Sequence, residues 1–266
     1  MTYETIRVER AREGVDVLTL SRPERLNALT WDGVDEIRHA LAAIARDSTS
    51  RVLVLTGDGR GFCAGLDISL DDPVGTGNSV QDVYEKQERI AAIPIALRTL
   101  PQPVIAAVNG PAAGAGFSFA LAADVRIATP AAFFVAAFVR IGLSGGDIGS
   151  SYFLPRIVGH GIASEYLLTG RRIPAEEALR VGLVNRIVPQ EELLESAFAL
   201  AAEITRNSPF GVQMTKQVVQ RNTDANSLEA ALELENRTQV LTTRTSDLPE
   251  ALAAFLEDRP PNYTNT

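Results

Sequence analysis

Two stretches of this chain place backbone without bulk directly after an apolar run. In one, Val104–Val108 meets the turn signal Asn109-Gly110-Pro111, and Gly114-Ala115-Gly116 then opens a helix rich in alanine and leucine, expected over Ala115–Ala122. In the other, Val52–Thr56 is followed by Gly59-Arg60-Gly61-Phe62-Cys63-Ala64-Gly65-Leu66-Asp67-Ile68. Backbone free of side chains lets a ligand reach main-chain N–H groups, and a helix N-terminus adds the positive end of its dipole. Two such elements could each aim one N–H at a single carbonyl oxygen, which is how an oxyanion is held. Each loop taken alone also reads as a tight turn.

One carboxylate stands out. Asp147 lies in Gly142-Leu143-Ser144-Gly145-Gly146-Asp147-Ile148-Gly149, ahead of Pro155. An isolated aspartate in an apolar, glycine-lined pocket would hold its proton more tightly than usual and could carry it between two carbons. The competing reading makes Asp147 the cap of a helix starting near Ser150. Other polar candidates carry less. Ser118 sits in the glycine-opened helix, where it could orient water or bond to its own backbone. Cys63 reads as a packed thiol with nothing nearby to activate it. Asp67 and Asp124, at loop or strand ends, read as structural hydrogen-bonders. Arg140 could pair with Asp147. His39 and His160 are the two histidines, and no spacing pairs them into a triad or a metal site.

The elements that must position these residues alternate between strand and helix. Ile6–Arg10 and Val15–Ser21 read as strands around Arg12-Glu13-Gly14. Thr30 caps an amphipathic helix bearing Val34, Ile37, Leu41 and Ile44. Asp71–Ser79 reads as a mobile polar loop before a long helix, Val80–Thr99, and Pro101-Gln102-Pro103 breaks the chain before Val104. Strands follow at Asp124–Ala128 and Ala132–Val135. This alternation predicts an α/β architecture. From Ser208 the pattern turns helical, with Phe210–Thr223 and Ser227–Thr243 apolar on one face and Pro249–Glu257 a short terminal helix.

Composition narrows the function classes. With 266 residues, 45% hydrophobic and 22% charged, the chain suits an ordinary globular protein. A net charge of −8 argues against nucleic acid or an anionic membrane as the main partner, without excluding an anionic ligand in a local basic patch. One cysteine forbids an internal disulfide and argues against a structural zinc site. The first residues lack an apolar signal core, and no run reaches the roughly 20 apolar residues needed to span a bilayer. A cytoplasmic location is therefore expected.

The ordered motifs resemble those of the crotonase superfamily, the enoyl-CoA hydratase/isomerase family. The residues that carry the likeness are Arg22-Pro23, Leu26-Asn27-Ala28-Leu29, Gly61–Ile68, Val108-Asn109-Gly110, Gly114-Ala115-Gly116, Ala123-Asp124, Leu154–Gly159, Leu168-Thr169-Gly170 and Gly182–Asn185. They run in order from about Tyr3 to Tyr263. The resemblance implies a spiral of ββα units over residues 1–205, with the acyl-CoA site, followed by a C-terminal helical oligomerisation region over 206–266. It implies homotrimers, paired into hexamers, and coenzyme A thioester as substrate, with no permanently bound cofactor.

It further implies that the N–H groups of Ala64 and Ala115 hold the thioester carbonyl. Arg25, Leu26, Ala28, Ala64, Asp67 and Ile68 would face the coenzyme A, with Phe255 and Arg259 near its nucleotide. Asp258 stands where the family's lysine is expected, so Arg259 would replace that lysine or the contact is lost. At the two glutamate positions of the family's hydratases this chain has Ser118 and Phe138, neither able to serve as a carboxylate base. Hydration needs such a pair. Asp147 is similar in spacing to the aspartate that dienoyl-CoA and some Δ3,Δ2-enoyl-CoA isomerases carry in this loop. The expectation is therefore double-bond isomerisation through Asp147. The alternatives are a CoA-thioester-binding protein without turnover, or a thioester hydrolase or decarboxylase using the same two amides.

Overall fold

The structure, a computed structural model, describes residues 3–69 and 79–264. Residues 70–78, most of the segment expected as a mobile loop, lie outside the described residues. The strands are β1 (Ile6–Arg12), β2 (Val15–Leu20), β3 (Val52–Gly57), β4 (Val104–Val108), β5 (Ala112–Ala113), β6 (Val125–Ala128), β7 (Phe133–Val135), β8 (Ile173–Pro174) and β9 (Arg186–Ile187). The helices are α1 (Trp31–Arg46), α2 (Val80–Thr99), α3 (Ala115–Ala122), α4 (Ser150–Val158), α5 (His160–Thr169), α6 (Ala175–Arg180), α7 (Leu193–Thr205), α8 (Pro209–Asn222), α9 (Leu228–Thr242) and α10 (Asp247–Leu256).

A six-stranded sheet runs β1-β2-β3-β4-β6-β9, antiparallel between β1 and β2 and parallel thereafter. A second sheet, β5-β7-β8, stands beside it. Parallel strands must be covered on both faces, and the side-chain period of two sorts the residues accordingly. Val15, Val17, Val52, Val54, Ile105, Ala107 and Ile127 face α7 through Leu193, Ala197 and Ala201. Their neighbours Leu18, Leu20, Leu53, Leu55, Val104, Ala106 and Val108 join the larger core with residues of α1, α2 and α3. The mixed α/β architecture and the terminal helices are as expected from the sequence.

Boundaries shifted in a few places for local reasons. β1 continues past Arg10 to Arg12, with a register irregularity between them. β6 starts at Val125 because Asp124 turns its carboxylate onto the Val104 N–H, 2.8 Å away. Residues 159–205, where the sequence pattern assigns no elements, form α5, α6 and α7. Among the described residues no helix is long and apolar enough to cross a membrane.

The C-terminal helices are anchored at a buried ion pair. Lys216 of α8, its side chain 4% exposed, reaches the Asp124 carboxylate at 2.8 Å and the Gln102 carbonyl at 2.8 Å. Gln220, one turn on, donates to the same carboxylate at 3.2 Å. Asp124 is thereby structural, as its place at a strand end suggests.

Candidate active site

Three segments that are far apart in sequence are stitched together edge to edge. The Leu29 N–H donates to the Gly65 carbonyl at 2.8 Å, and the Asp67 N–H returns to the Leu29 carbonyl at 2.9 Å. The Ala113 N–H donates to the Cys63 carbonyl at 2.9 Å. Two buried asparagines hold the approach to this seam. Asn27 donates to the carbonyls of Asp58 and Gly61 at 2.9 and 2.8 Å, and Asn109 donates to those of Gly59 and Gly61, both at 3.0 Å. Asn27 and the preceding Leu26 adopt positive φ (58° and 53°), a conformation asparagine tolerates better than most residues. Asn27 is thus a structural pin of the turn and not a ligand contact.

The seam decides which amides are free. The Ala64 N–H, expected to point at a substrate carbonyl, donates instead to the Leu26 carbonyl at 3.0 Å. That expectation is corrected, because an amide already used in a backbone bond has no proton to offer. The next free donor on this loop is Leu66: its N–H, like that of Ala115 at the start of α3, meets no acceptor among the described residues. The two loops come together at Gly65, whose φ is +92°. A Cβ there would stand 3.0 Å from the Ala113 carbonyl oxygen and 3.5 Å from the Ala115 nitrogen. Gly116 is closer still: its added Cβ would lie 2.3 Å from the Cys63 carbonyl oxygen. Glycine at these two positions is a steric requirement of the loop-to-loop approach.

These amides border a cavity of about 770 Å³. Arg25, Leu26, Ala28, Ala64, Asp67, Ile68, Ala115, Phe138 and Asp147 all line it. Leu66, Arg60 and Gln87 line it too, and sequence reasoning did not select them. Arg60 belongs to the glycine loop and, like Arg25, lines the cavity. A second hollow of about 930 Å³ lies under α8, α9 and α10, bordered by Lys216 and Asp124. There Lys216 pairs with Asp124, and Asp247 accepts from the Ser208 hydroxyl and the Thr264 N–H.

Asp147 is part-buried on the cavity wall. Its Oδ1 accepts from the Ile148 N–H at 2.8 Å and from Gln87 Nε2 of α2 at 2.5 Å. Burial pushes the carboxyl above its ordinary range, while these two donors pull the other way. The side chain does not cap α4, whose N-cap is Gly149 with no side-chain bond. The helix-cap reading is therefore set aside, as is pairing with Arg140, since the partners are Gln87 and Ile148. Ile148 holds φ +49°, a strained conformation for a β-branched residue.

The positions that could have supplied carboxylates do other work. Ser118 is fully buried, and its hydroxyl donates to the Asp147 backbone carbonyl at 3.5 Å, supporting the aspartate loop from behind. It does not line the cavity. Phe138 closes over the glycine turn: a Cβ on Gly114 would meet its ring edge at 3.6 Å. Asp67 faces the cavity with its carboxylate occupied by the Ser69 hydroxyl at 2.6 Å and by Arg22 at 3.1 Å. The Ser69 bond, foremost, keeps it below the usual carboxylate range. Burial pushes the Cys63 thiol up to about 12, so it is an inert packing group. His39 bonds the Tyr3 hydroxyl on the surface and His160 opens α5, both away from the cavity.

Phe255 and Arg259 are not brought to this cavity within the chain. Phe255 is 84% exposed on α10. Arg259 is held by Glu250 and Glu257, each at 2.6 Å.

A family model described as enoyl-CoA hydratase/isomerase matches residues 10–266. The chain belongs to the enoyl-CoA hydratase/isomerase family. Its relatives include a Mycobacterium bovis protein named probable enoyl-CoA hydratase, 42% identical over 99% of this chain and 94% of that one. The 1,2-epoxyphenylacetyl-CoA isomerase of Escherichia coli is 40% identical over 95% of both chains. Among solved structures, an enoyl-CoA hydratase from Bacillus anthracis superposes with a TM-score of 0.93 at 34% identity, covering 99% of this chain and 100% of that one. Members of the enoyl-CoA hydratase/isomerase family act on CoA thioesters, so this chain is an enzyme of that type. The reading as a binding protein without turnover is set aside.

Proposed function

We propose that the enzyme shifts a carbon–carbon double bond in an enoyl-CoA, using Asp147 as the single proton carrier. The N–H groups of Leu66 and Ala115 would hold the thioester oxygen. Asp147 takes a proton from the α-carbon of a 3-enoyl thioester, and the C–H electron pair flows into a dienolate whose negative charge rests on that oxygen. The resulting carboxylic acid then returns the proton to the α- or γ-carbon. When the proton goes back to the α-carbon the substrate re-forms, and when it goes to the γ-carbon the 2-enoyl thioester is made. When it goes to the α-carbon with the opposite starting isomer, the bond moves the other way. No water enters and the mass is unchanged.

The observation that carries this reading is the inventory of carboxylates on the cavity. Among the described residues they are Glu24, Asp67 and Asp147. Asp67 is tied to Arg22 and Ser69, and Glu24 is exposed beside Arg25. Asp147 is the part-buried one, and the positions of the two hydratase glutamates hold Ser118 and Phe138. Water activation paired with carbon protonation lacks its second carboxylate. Arg25 and Arg60 supply positive charge at the cavity edge for the coenzyme's phosphates.

The exposed apolar residues of the last helices, Val219, Leu228, Leu252, Phe255 and Leu256 among them, support assembly into trimers or hexamers through residues 206–266. Incubation with 3-enoyl-CoA and 2-enoyl-CoA, followed by ultraviolet absorbance and mass spectrometry, tests the reaction. Interconversion at constant mass is expected. Products heavier by one water would overturn the isomerase reading.

A further inference from the structure

Resting on the reading of Asp147 as proton carrier, we propose that Gln87 is its positioning residue, fixing Oδ1 so that Oδ2 faces the reacting carbons. The argument is geometric. Both bonds to the carboxylate, from Gln87 and from the Ile148 N–H, fall on Oδ1, and Oδ2 accepts none among the described residues. The two donors come from different parts of the fold, α2 and the strained Ile148, so together they define the plane of the carboxylate.

A second hollow explains why a clamp is needed. Gln87, Asp147 and Ile148 also line a neighbouring space of about 440 Å³, with Pro94, Tyr152 and Phe153 on its far side. Asp147 therefore stands on a wall between two open volumes. Without Gln87, its side chain has room to rotate away from the cavity that holds the free amides. Among the described residues, the other charged groups on these two spaces are Glu24, Arg25, Arg60 and Asp67 on the first and Arg98 on the second, and none bonds to Asp147. Among the described residues no ion pair does what Gln87 does. The amide donor also favours the ionised carboxylate, the form that accepts the proton.

The test compares Gln87→Met, which keeps length and removes the donor, with Gln87→Glu, which places a second carboxylate beside Asp147. Asp147→Asn is the control. For Gln87→Met, kcat should fall about 10-fold with KM changed less than about 2-fold, as expected for a misplaced group acting in the transition state. The acid limb of kcat/KM should move to higher pH, and Gln87→Glu should move it further. Unchanged kcat in Gln87→Met, or a fall with the limb unmoved, overturns the positioning role while leaving Asp147 in place if Asp147→Asn is inactive. Full turnover by Asp147→Asn overturns both readings together. Gln87 is on the surface side of α2, so thermal midpoints close to that of the parent should confirm that folding is intact.

Discussion

The Ala64 amide nitrogen lies 3.0 Å from the Leu26 carbonyl oxygen, and this one bond moves the candidate oxyanion donor two residues along the loop to Leu66. Replacing the Leu66 amide by an ester, through leucic acid at that position, removes the donor and weakens the Gly65 carbonyl that accepts the Leu29 N–H. Turnover should fall at least about 100-fold, the loss of roughly 3 kcal/mol of transition-state stabilisation. The equivalent ester at Ala64 should lower the thermal midpoint and leave kcat nearly unchanged. Steady-state kinetics of the two esters side by side distinguish the donors; equal kinetic losses would return Ala64 to the site.

Asp147→Asn should reduce isomerisation by about 100-fold or more, the usual contribution of a positioned acid–base group, with acyl-CoA affinity retained by calorimetry.

The same substitution should act on stability in the opposite sense. Burial raises the Asp147 carboxyl in the folded protein, so the folded state favours the protonated form relative to the unfolded chain. That contribution is fully present below the ordinary carboxylate range and is lost as pH rises through the folded value. Asn mimics the protonated form, so Asp147→Asn should melt higher than the parent at neutral pH. The difference should vanish on acidification. Scanning calorimetry across pH reads it directly, and a variant that melts lower at neutral pH contradicts the sign.

Gly116→Ala should cripple the enzyme without touching any side chain in the cavity. Its Cβ would come within 2.3 Å of the Cys63 carbonyl oxygen and 2.5 Å of the Cys63 Cβ, forcing the two loops apart. A cost of about 1–3 kcal/mol in denaturant unfolding is expected, with a larger proportional loss of kcat.

Arg25→Ala and Arg60→Ala should raise KM for acyl-CoA several-fold at constant kcat, because contacts to a distant phosphate bind ground and transition states alike. The effect should shrink as salt is added. Pantetheine thioesters, which lack the nucleotide, should respond to neither substitution.

Lys216→Met should loosen the C-terminal helices by leaving the half-buried Asp124 with only the Val104 N–H and Gln220 as donors, at a cost of about 1–3 kcal/mol. Chemical denaturation should show the loss, and gel filtration should show whether the assembly depends on this anchor.

Much of the frame was legible because the signals were local. α2 at Val80–Thr99 and α3 at Ala115–Ala122 follow from a Ser79 cap, a Pro101 break and a glycine-led start. Most of the cavity wall was legible as well, since Arg25, Leu26, Ala28, Asp67, Ile68, Ala115, Phe138 and Asp147 all line it. What was missed was non-local. Gln87 is 60 residues from Asp147 in sequence, and a glutamine on an exposed helix turn carries no signal of its own. Ser118 bonds the backbone of Asp147 and not water or its own helix, a partner that only chain packing supplies.

Side-chain chemistry is written residue by residue, so the chain alone settled that Ser118 and Phe138 cannot be carboxylates and that Asp147 can. Which backbone protons remain free is a property of pairing. Leu66 kept its proton because the Leu26–Leu29 turn claimed the amides of Ala64 and Asp67 on either side of it, and Ala115 kept its own because it opens α3, where the first N–H groups have no intrahelical acceptor. Every residue but proline carries the same N–H, and only the folded arrangement of its neighbours distinguishes one from the next.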